Sequence, residues 1–453
     1  MTLPDYFLAD LPSEATLTAA MVRDACLTLK RNRDHYLAGR STASLVKVVS
    51  TMAENWLEPD YPFRQLALDR GPVATGFSRT TIANGLDGFF SQLTRDNLHA
   101  LIVQELGHAQ RLDEMTSSSH EERSGLAAMA RGPELLAHIA AGHIPNPTLM
   151  SIVLGLLVRS AQFVKCASGA SLLPRLFAHS LYDREPKLAS CLEIAEWRGG
   201  TAALEEALFN EADCVTVTGS DETLHEILCR LPRRVRFLGY GHRLSFGYVA
   251  NEVLSRFNAK KLAAAAASDV AAWDQLGCLS PHLFYVEAGG SVTPELFAEM
   301  LAEELARREL SEPRGTLTVD ATAVIRSKRD FYGVRASNSP DTRIWCSPNS
   351  TVWTVVFEAD ARFQMSCLNR FIYVKAVAGL DEMLRHADVV RGKVSTVGLA
   401  AGLDQGQDIA RQLACWGVTR ICPIGQMQNP PLAWRHDGRP TLGDLVTWTN
   451  WER

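Results

Sequence analysis

One cysteine in the second half of the chain stands in a segment that is suited to covalent chemistry. Cys278 lies in the stretch DQLGCLSPH, residues 274–282, where a glycine precedes it and a Ser-Pro pair follows. A thiolate in such a loop can attack a carbonyl carbon and form an acyl-enzyme. Cysteine is also among the most buried residue types, so the alternative is that Cys278 is a small apolar core residue. The stretch alone leaves both interpretations open.

The other cysteines and the histidines do not show the spacing of a metal site. The ten cysteines stand singly, without a C-x-x-C pair, and the twelve histidines form no H-E-x-x-H motif. We therefore expect no zinc site. Apart from Cys278, the cysteines are predicted to be reduced core thiols. Cys166 is the first exception to consider, because it adjoins the cationic Lys165.

Composition and charge exclude several classes of protein. The chain has 453 residues, of which 46% are hydrophobic and 21% charged, with a formal net charge of -5. This length predicts two or three globular domains. The acidic balance and the lack of a basic stripe indicate no nucleic-acid partner. The longest apolar run, LMSIVLGLLV, is too short to span a membrane, and the first residues do not resemble a secretory signal, so a cytoplasmic protein is expected.

From about Leu135 onward, short apolar segments alternate with helical ones. The strand-like segments are ELLAHIAAG, QFVKCAS, LEIAEW, DCVTVTGS and RVRFLGYG. This alternation predicts a parallel, doubly wound sheet, in which ligands bind at the carboxyl ends of the strands. Small or polar residues end three of the segments, at 168–169, 199–200 and 219–220, which indicates a nucleotide crevice. No G-x-G-x-x-G motif follows the first strand, so the usual dinucleotide fingerprint is absent.

The flanking regions complete the predicted organisation. The first 130 residues are predicted to be mainly helical from their three- and four-residue apolar spacing. After Asn251, a long helix ending in VAAWDQ is predicted to lead directly to Cys278. A second αβ region follows, with HLFYVEAG, TVWTVVFE, RFIYVKAV and VSTVGLAAG as strands. The tail, rich in proline and tryptophan, is predicted to lie on another domain or subunit.

The order of these segments resembles the aldehyde dehydrogenase superfamily. An AGxIP turn, FVKCAS, a Gly-Gly turn, TVTGS, GYGH and DQLGCLSP follow one another, and RICPIGQMQNPPLAWRHDGRPTLGDLV is similar to the C-terminal stretch of the LuxC-type acyl-CoA reductases. Lys165 precedes Cys278 by 113 positions (278 − 165) and Gly219 precedes it by 59 (278 − 219), which fits the same superfamily. The resemblance covers the chain from about residue 70 to its last residue.

The resemblance implies an α/β, aldehyde dehydrogenase-like fold with two doubly wound domains and an oligomerisation element. Residues 1–130 are expected to be a helical part of the nucleotide-binding domain, and residues 131–252 its αβ core. Residues 253–425 are expected to form the catalytic domain, and residues 426–453 the packing tail. A homo-oligomer is expected by analogy alone.

The resemblance also assigns residues to a nicotinamide cofactor. Lys165 is expected to hold the adenosine ribose or its 2′-phosphate, and Ser168 stands where NAD-preferring relatives often carry Glu, which favours NADPH. The turns are expected to let the cofactor approach the backbone and receive its pyrophosphate, through Gly199, Gly200, Gly219, Ser220 and Gly241. The alternatives are a solvated lysine and plain turns. Trp353 lines the nicotinamide end or, as is more common beside a buried strand, belongs to the core.

By the same resemblance Cys278 is the nucleophile. Its thiolate attacks an acyl thioester, CoA or a carrier-protein thiol leaves, and NADPH reduces the acyl-enzyme to an aldehyde. A helix N-terminus or a nearby cation would favour the ionised thiol. The segment at 238–245 lacks the Glu base of hydrolytic relatives, as suits an enzyme that avoids releasing acid. His242 in this segment is either an acid/base for the departing thiolate or a loop histidine that binds backbone.

One turn departs from the superfamily pattern. Relatives read AGNxP, with the Asn donating to the oxyanion, whereas residues 141–146 read A-G-H-I-P-N here. His143 can donate through its Nε2–H, Asn146 can take over the role, or His143 is a structural residue. Loss of one such donor costs about two to three powers of ten in rate.

The sequence therefore predicts an NADPH-dependent reductase that converts acyl-CoA or acyl-carrier protein to an aldehyde. An aldehyde dehydrogenase that oxidises its substrate is the first alternative, and the missing Glu argues against it. The second is a weakly active subunit of an assembly with an acyl-transfer or ligase partner, which the change at His143 keeps open.

Overall fold

The computed structural model describes residues 3–12, 14–142 and 144–453, and the elements below lie in these ranges. The helices are α1 (Ala19–Tyr36), α2 (Thr42–Leu57), α3 (Pro62–Thr75), α4 (Arg79–Phe90), α5 (Arg95–Leu106), α6 (Ser119–Arg123), α7 (Asn146–Leu157), α8 (Leu172–Arg184), α9 (Pro186–Ala189), α10 (Ala202–Glu211), α11 (Asp221–Arg230), α12 (Arg256–Ala271), α13 (Pro294–Ser311), α14 (Val319–Asn338), α15 (Leu380–Ala387) and α16 (Leu403–Trp416). The strands are β1 (Leu126–Arg131), β2 (Leu135–Ile139), β3 (Ala161–Cys166), β4 (Leu192–Glu196), β5 (Cys214–Thr218), β6 (Arg236–Tyr240), β7 (Leu244–Val249), β8 (Pro281–Glu287), β9 (Thr342–Cys346), β10 (Thr354–Glu358), β11 (Phe371–Val377), β12 (Val394–Ala400), β13 (Arg420–Pro423) and β14 (Thr447–Glu452).

The chain divides into two compact units. The first comprises the residues up to Thr75, Leu86–Gly241 and Pro431–Arg453, and the second comprises Gly76–Gly85 and His242–Pro430. This division falls earlier than the predicted domain boundary after residue 252, because β7 pairs with β8 and β12 of the second unit. The tail belongs to the first unit, where β14 pairs with β1 in antiparallel register.

The first unit contains the parallel sheet predicted from the alternating segments. Within the described ranges its strand order is β4-β3-β2-β5-β6, with every pair parallel. The helices α1 and α10 pack over one face, where alternate residues such as Leu135, Ala137 and Phe163 are buried. On the other face the Gln162 amide donates to the Ile152 carbonyl of α7 at 3.0 Å. The connections reverse direction between β2 and β5, which is the topological switch point where such sheets bind ligands.

A single carboxylate on α5 fastens the tail to the first unit. Glu105 accepts hydrogen bonds from the backbone N–H groups of Thr441, Leu442 and Gly443. Arg236 of β6 donates to the carbonyls that follow, at Leu445 and Val446. The tail is therefore an integral part of this unit, which the sequence left undecided between another domain and another subunit.

The second unit is built on a larger mixed sheet. Among the described residues its strand order is β13-β12-β7-β8-β11-β10-β9, parallel except for β9 against β10. Alternate strand residues face α12 and α13 on one side and α14, α15 and α16 on the other. The sequence did not predict β7, α14 or β9. The predicted long helix ends at Ala271, seven residues before Cys278, rather than leading into it.

The sequence predicts no membrane-spanning segment, because its longest apolar run is too short. In the described part of the chain, no helix is both long enough and apolar enough to cross a bilayer.

We predict that Asp269 makes the second unit less stable as the pH rises. Its carboxylate is 1% exposed on α12 and accepts from the N–H groups of Gly425 (2.5 Å) and Met427 (3.0 Å), and burial raises its pKa to about 7. The folded state therefore holds a proton that the unfolded state releases near pH 4. Between these values the free energy of unfolding should fall by up to about 1.4 kcal/mol per pH unit.

D269N resembles the protonated acid at every pH and is the matched comparison. Urea unfolding of both proteins at pH 4.5, 5.5, 6.5 and 7.5 should show the wild type losing stability relative to D269N as the pH rises. Parallel pH dependences would show that Asp269 is ionised throughout.

Candidate active site

The cofactor residues predicted from the sequence lie at one edge of the first unit's sheet. Lys165 is the penultimate residue of β3, 4% exposed, and its Nζ lies 6.0 Å from the centre of the Trp197 ring. Burial lowers the pKa of Lys165, and the charges of Glu205 and Glu196 oppose this shift. A buried cation at the carboxyl end of a strand suits an anionic or hydroxyl-bearing ligand.

A tight turn follows Lys165 and carries Ser168 at its exposed tip. Gly169 has a φ of 78°, and its N–H donates to Glu196 of β4 at 2.8 Å. A cavity of about 530 Å³ adjoins the turn and is lined in part by Arg70 and Arg175. Arg175 is paired with the Asp10 carboxylate at 2.7 Å. Asp69 and Glu196 line the same cavity, so charges of both signs adjoin the turn, which the sequence did not predict.

The two glycine turns differ in what they leave open. A Cβ added at Gly199 or Gly200 would meet nothing within 4 Å. The Gly219 N–H donates to the Tyr240 carbonyl at 3.2 Å, and the Ser220 hydroxyl caps α11 by accepting from Thr223 N–H at 3.2 Å. The Gly199–Gly200 turn leaves room for the close approach of a ligand, although its Gly200 N–H already donates to Glu205 at 2.9 Å. The Gly219–Ser220 turn uses its polar groups within the fold.

Gly241 directly follows β6 and lies against the side chain of Asp221. A Cβ at this position would lie 2.4 Å from Oδ1 of Asp221, the first residue of α11. Asp221 and Glu222 also place negative charge in the first turn of α11, which disfavours an anion there. The edge as a whole fits a nucleotide through Lys165 and the open glycine turn, with α11 as the less favourable part.

The predicted oxyanion turn lies after β2. His143 is outside the described residues, so its role stays a prediction. Asn146 begins α7, and its side-chain Oδ1 is buried.

In the second unit Cys278 is exposed, which excludes the core interpretation. Its carbonyl accepts from the buried Ser245 hydroxyl of β7 at 2.8 Å. The Ser280 hydroxyl accepts from the Gly277 N–H (3.2 Å) and from the Gln428 amide (2.8 Å). The segment is thus held on both sides of the thiol. It enters β8 rather than a helix, so the helix N-terminus considered for ionising the thiol is not the element that follows.

Two short runs of left-handed backbone meet beside this segment. Residues 273–275 have φ values of 49°, 50° and 66°, and residues 368–370 have values of 62°, 58° and 63°. Left-handed residues other than glycine each cost of order 1–3 kcal/mol and persist only where other contacts fix them. Gln275 supplies one such contact, because its amide donates to the carbonyls of Pro281 (2.8 Å) and Phe371 (3.0 Å).

A buried ionic network supplies the rest of the support. Arg370 is 1% exposed, and its guanidinium contacts the Asp274 carboxylate at 2.8 and 2.9 Å and Glu309 at 2.9 Å. The other Asp274 oxygen accepts from the Gly315 N–H at 3.0 Å. Burial raises the pKa of Asp274 even though Arg370 opposes the shift. Arg370 therefore ties α13 and the segment before β11 to the residues that precede Cys278.

The structure brings His242 to the same edge of the sheet as Cys278. In the parallel pairing of β7 and β8, Ser245 lies opposite Pro281. His242 and Cys278 each lie three residues before a member of this pair, so both precede neighbouring strands at the amino edge. His282 lies one residue after Pro281 and was not predicted as a site residue.

The remaining cysteines correct the prediction that all of them are core residues. Cys229, Cys346 and Cys415 are exposed. Cys166, the predicted exception, is buried, and burial raises the pKa of its thiol to about 12. Cys166 is the last residue of β3, which is buried along its whole length, and the neighbouring Lys165 is buried with it. Trp353 is buried in the core between the sheet and α13.

We predict that R370A destabilises the second unit by about 3–5 kcal/mol, because it removes the guanidinium from the buried Asp274 carboxylate and from Glu309, which is partly buried. R411A, which removes an exposed partner of Asp408, is the control and should leave the unfolding transition in place. Urea unfolding followed by tryptophan fluorescence measures both. Equal, small effects would mean that the network does not support the Cys278 segment.

The chain is similar in sequence to known thioester reductases and in fold to solved dehydrogenases. Two long-chain acyl-protein thioester reductases, from Photorhabdus laumondii subsp. laumondii and Aliivibrio fischeri, are each 22% identical to the chain over 419 and 421 residues. Each alignment covers 90% of this chain and 82% of the relative. Among solved structures, lactaldehyde dehydrogenase from Escherichia coli has a TM-score of 0.66 at 12% identity, over 98% of this chain and 94% of that chain. Delta-pyrroline-5-carboxylate dehydrogenase from Mycobacterium tuberculosis has a TM-score of 0.67 at 13% identity, over 96% and 83%.

The structural likeness confirms the predicted aldehyde dehydrogenase-like fold. The family is shown by a different match, since the model of acyl-CoA reductase (LuxC) matches residues 37–448. That range includes both sheets, the cofactor edge and Cys278. The chain therefore belongs to the acyl-CoA reductase (LuxC) family.

Proposed function

We propose that this chain reduces an acyl thioester to an aldehyde through an acyl-Cys278 intermediate, with NADPH as the reductant. The observation that carries the proposal is the exposed thiol of Cys278 on a segment fixed by buried contacts, in a chain of the LuxC family. The names of the relatives, long-chain acyl-protein thioester reductases, support a long-chain acyl group on a protein or CoA thiol.

The first half of the reaction exchanges one thioester for another. The Cys278 sulfur bonds to the carbonyl carbon, and the bond from that carbon to the leaving sulfur breaks. The two thiols have similar basicity, so the exchange is close to balanced. The proton lost by Cys278 passes to the leaving thiolate, and His242, which precedes the neighbouring strand at the same edge, is the proposed carrier for it. The oxyanion donor is proposed to be His143 or Asn146.

The second half of the reaction requires a hydride, and water must be kept from attacking the acyl-enzyme. When bound, the nicotinamide supplies this hydride to the acyl carbon. Residues 238–245 carry no carboxylate that could activate water, which favours aldehyde over acid. The oxidising aldehyde dehydrogenase remains the second candidate, and product analysis separates the two.

The preference for NADPH is proposed from the turn after β3. Ser168 presents a hydroxyl where a carboxylate would repel a 2′-phosphate. The carboxylate that does lie nearby, Glu196, accepts from the Gly169 N–H, and Arg70 lines the adjoining cavity. Asp69 lines the same cavity, so the proposed preference rests on the hydroxyl of Ser168 and not on a net positive charge.

We predict that C278A abolishes covalent acylation while leaving NADPH affinity unchanged. Purified protein is mixed with a series of fatty acyl-CoA and acyl-carrier protein donors, and acylation is located by peptide mass spectrometry. C346S, at another exposed cysteine of the second unit, is the matched control and should acylate normally. Absence of acylation at Cys278 with every donor would refute the proposal.

We predict that S168E raises the KM for NADPH by about 10- to 100-fold, because a carboxylate replaces a hydrogen-bonding hydroxyl beside the 2′-phosphate. The KM for NADH should stay constant or fall, and this second cofactor is the internal control. Initial rates with one acyl donor measure both. A parallel rise for the two cofactors would show that Ser168 does not face the 2′ position.

A further inference from the structure

Cys278 stands at the corner of a hydrogen-bonded turn, residues 277–280, which we call the Cys278 turn. The Ser280 N–H donates to the Gly277 carbonyl at 2.9 Å, and the Ser280 hydroxyl accepts from the Gly277 N–H at 3.2 Å. This reciprocal pair closes a turn in which Cys278 and Leu279 are the central residues. The direction of the Cys278 side chain therefore depends on where Ser280 is held.

The sheet holds the Cys278 turn only in part. The Ser245 hydroxyl of β7 binds the Cys278 carbonyl, but Pro281, which begins β8, has no N–H to donate to a neighbouring strand. A further contact comes from a distant part of the chain, because the side-chain amide of Gln428 donates to the Ser280 hydroxyl at 2.8 Å. Since Ser280 is 1% exposed, water does not readily replace this donor.

Gln428 extends from a turn that two buried charged side chains fix. Asp269 of α12 accepts from the N–H groups of Gly425 at 2.5 Å and of Met427 at 3.0 Å. Arg420 of β13 donates to the Met427 carbonyl at 2.6 Å. Asp269 is 1% exposed and Arg420 is 8% exposed. Met427 is thus bound at both its N–H and its carbonyl, which fixes the backbone immediately before Gln428.

Close packing adds to these hydrogen bonds. Gly425 has a φ of 91°, and a Cβ at this position would lie 2.9 Å from the Cβ of Ala265 on α12. The turn therefore lies directly against the helix, and Gln428 reaches the Cys278 turn from a rigid support.

We propose that Gln428 is a positioning residue that keeps the Cys278 thiol in the direction from which it attacks the acyl carbon. It acts through Ser280 and not on the reacting atoms, because its amide binds the hydroxyl that closes the Cys278 turn. The proposal rests on the proposed function for the identity of the electrophile. A displacement of a reacting atom by about 1 Å can lower a rate by about 10²-fold. The amide carries no charge, so Gln428 should change the rate of attack and not the ionisation of the thiol.

Four variants isolate this contact. Q428L removes the amide at nearly constant side-chain volume, and Q426L is the matched control. The Gln426 side chain is exposed in the same turn, and the Gln426 carbonyl, which accepts from Arg420 at 2.7 Å, is kept in Q426L. S280A and the double variant S280A/Q428L show whether the effect of Gln428 passes through Ser280. Gln428 is half-buried, so we expect all four variants to fold, which thermal unfolding checks.

Three measurements apply to every variant. Deuterium exchange of the peptide that contains residues 277–280 reports on the Cys278 turn without substrate or cofactor. Single-turnover acylation of Cys278 by a fatty acyl-CoA donor reports on the direction of the thiol. The pH midpoint of Cys278 alkylation by iodoacetamide, located by mass spectrometry, reports on the ionisation of the thiol.

In Q428L the amides of the Cys278 turn should exchange about five- to tenfold faster than in the wild type, because one hydrogen bond is lost. Acylation should slow by about 10- to 100-fold, while the pH midpoint of alkylation stays constant. Q426L should match the wild type in all three measurements. In S280A, the addition of Q428L should change neither the exchange rate nor the acylation rate further.

Wild-type exchange or wild-type acylation in Q428L would overturn the proposal, as would equal effects of Q428L and Q426L. So would an effect of Q428L that persists in full in S280A, or a shifted pH midpoint of alkylation, since either would give Gln428 another role. If no donor acylates Cys278 of the wild type, the proposed function fails, whereas the exchange rates still decide whether Gln428 fixes the Cys278 turn.

Discussion

A guanidinium that binds two carboxylates is the interaction on which the Cys278 segment depends. The backbone before Cys278 passes through three left-handed residues, and so does the backbone before β11. Such conformations do not persist without compensation. Arg370 provides it by binding Asp274 and Glu309 at once, and Gln275 adds hydrogen bonds across the same gap. Because Arg370 and Asp274 are buried, removing either one would leave the charge of the other without its buried partner.

The contacts that stabilise the left-handed backbone also fix side chains around Cys278. Ser366 lies in the same supported stretch and sets the tautomer of His282, while Ser245 holds the Cys278 carbonyl from the neighbouring strand. The Cys278 thiol, the exposed His242 and the buried His282 therefore lie at one edge of the second unit's sheet. Catalytic groups perform best when their supporting contacts are fixed before the substrate arrives. The strained backbone is consistent with that requirement.

The two units use opposite edges of their sheets. In the first, Lys165, Ser168 and the glycine turns follow the carboxyl ends of parallel strands, as the general rule for such sheets predicts. In the second, Cys278 and His242 precede β8 and β7 at the amino edge. The alternating pattern after Leu135 was enough to predict the parallel sheet and to propose its carboxyl edge as a cofactor site. It does not point to the amino edge of the second sheet, where the assignment of Cys278 as nucleophile comes from the resemblance alone.

Other limits of the sequence have identifiable physical causes. Residues 244–249, which form β7, fall within the predicted first αβ core because the strand itself was not predicted and local apolar pattern does not tell which sheet a segment joins. The helix before Cys278 was extended too far, since alanine-rich periodicity continues until Trp273, where packing imposes a positive φ. Arg370, Ser366 and His282 were missed because their partners are distant in sequence: Arg370 and Asp274 are 96 residues apart. The short-range signals, by contrast, predicted the strands of the first sheet and the exposed turns well.

The central claim is that an acyl group on Cys278 is reduced rather than hydrolysed. The most direct test is a single turnover: the enzyme is acylated with a radiolabelled fatty acyl donor, freed of excess donor, and mixed with NADPH. The account predicts loss of label from Cys278 with one equivalent of aldehyde and little acid, and a stable acyl-enzyme when NADPH is omitted. Release of fatty acid at the same rate with and without NADPH would contradict it.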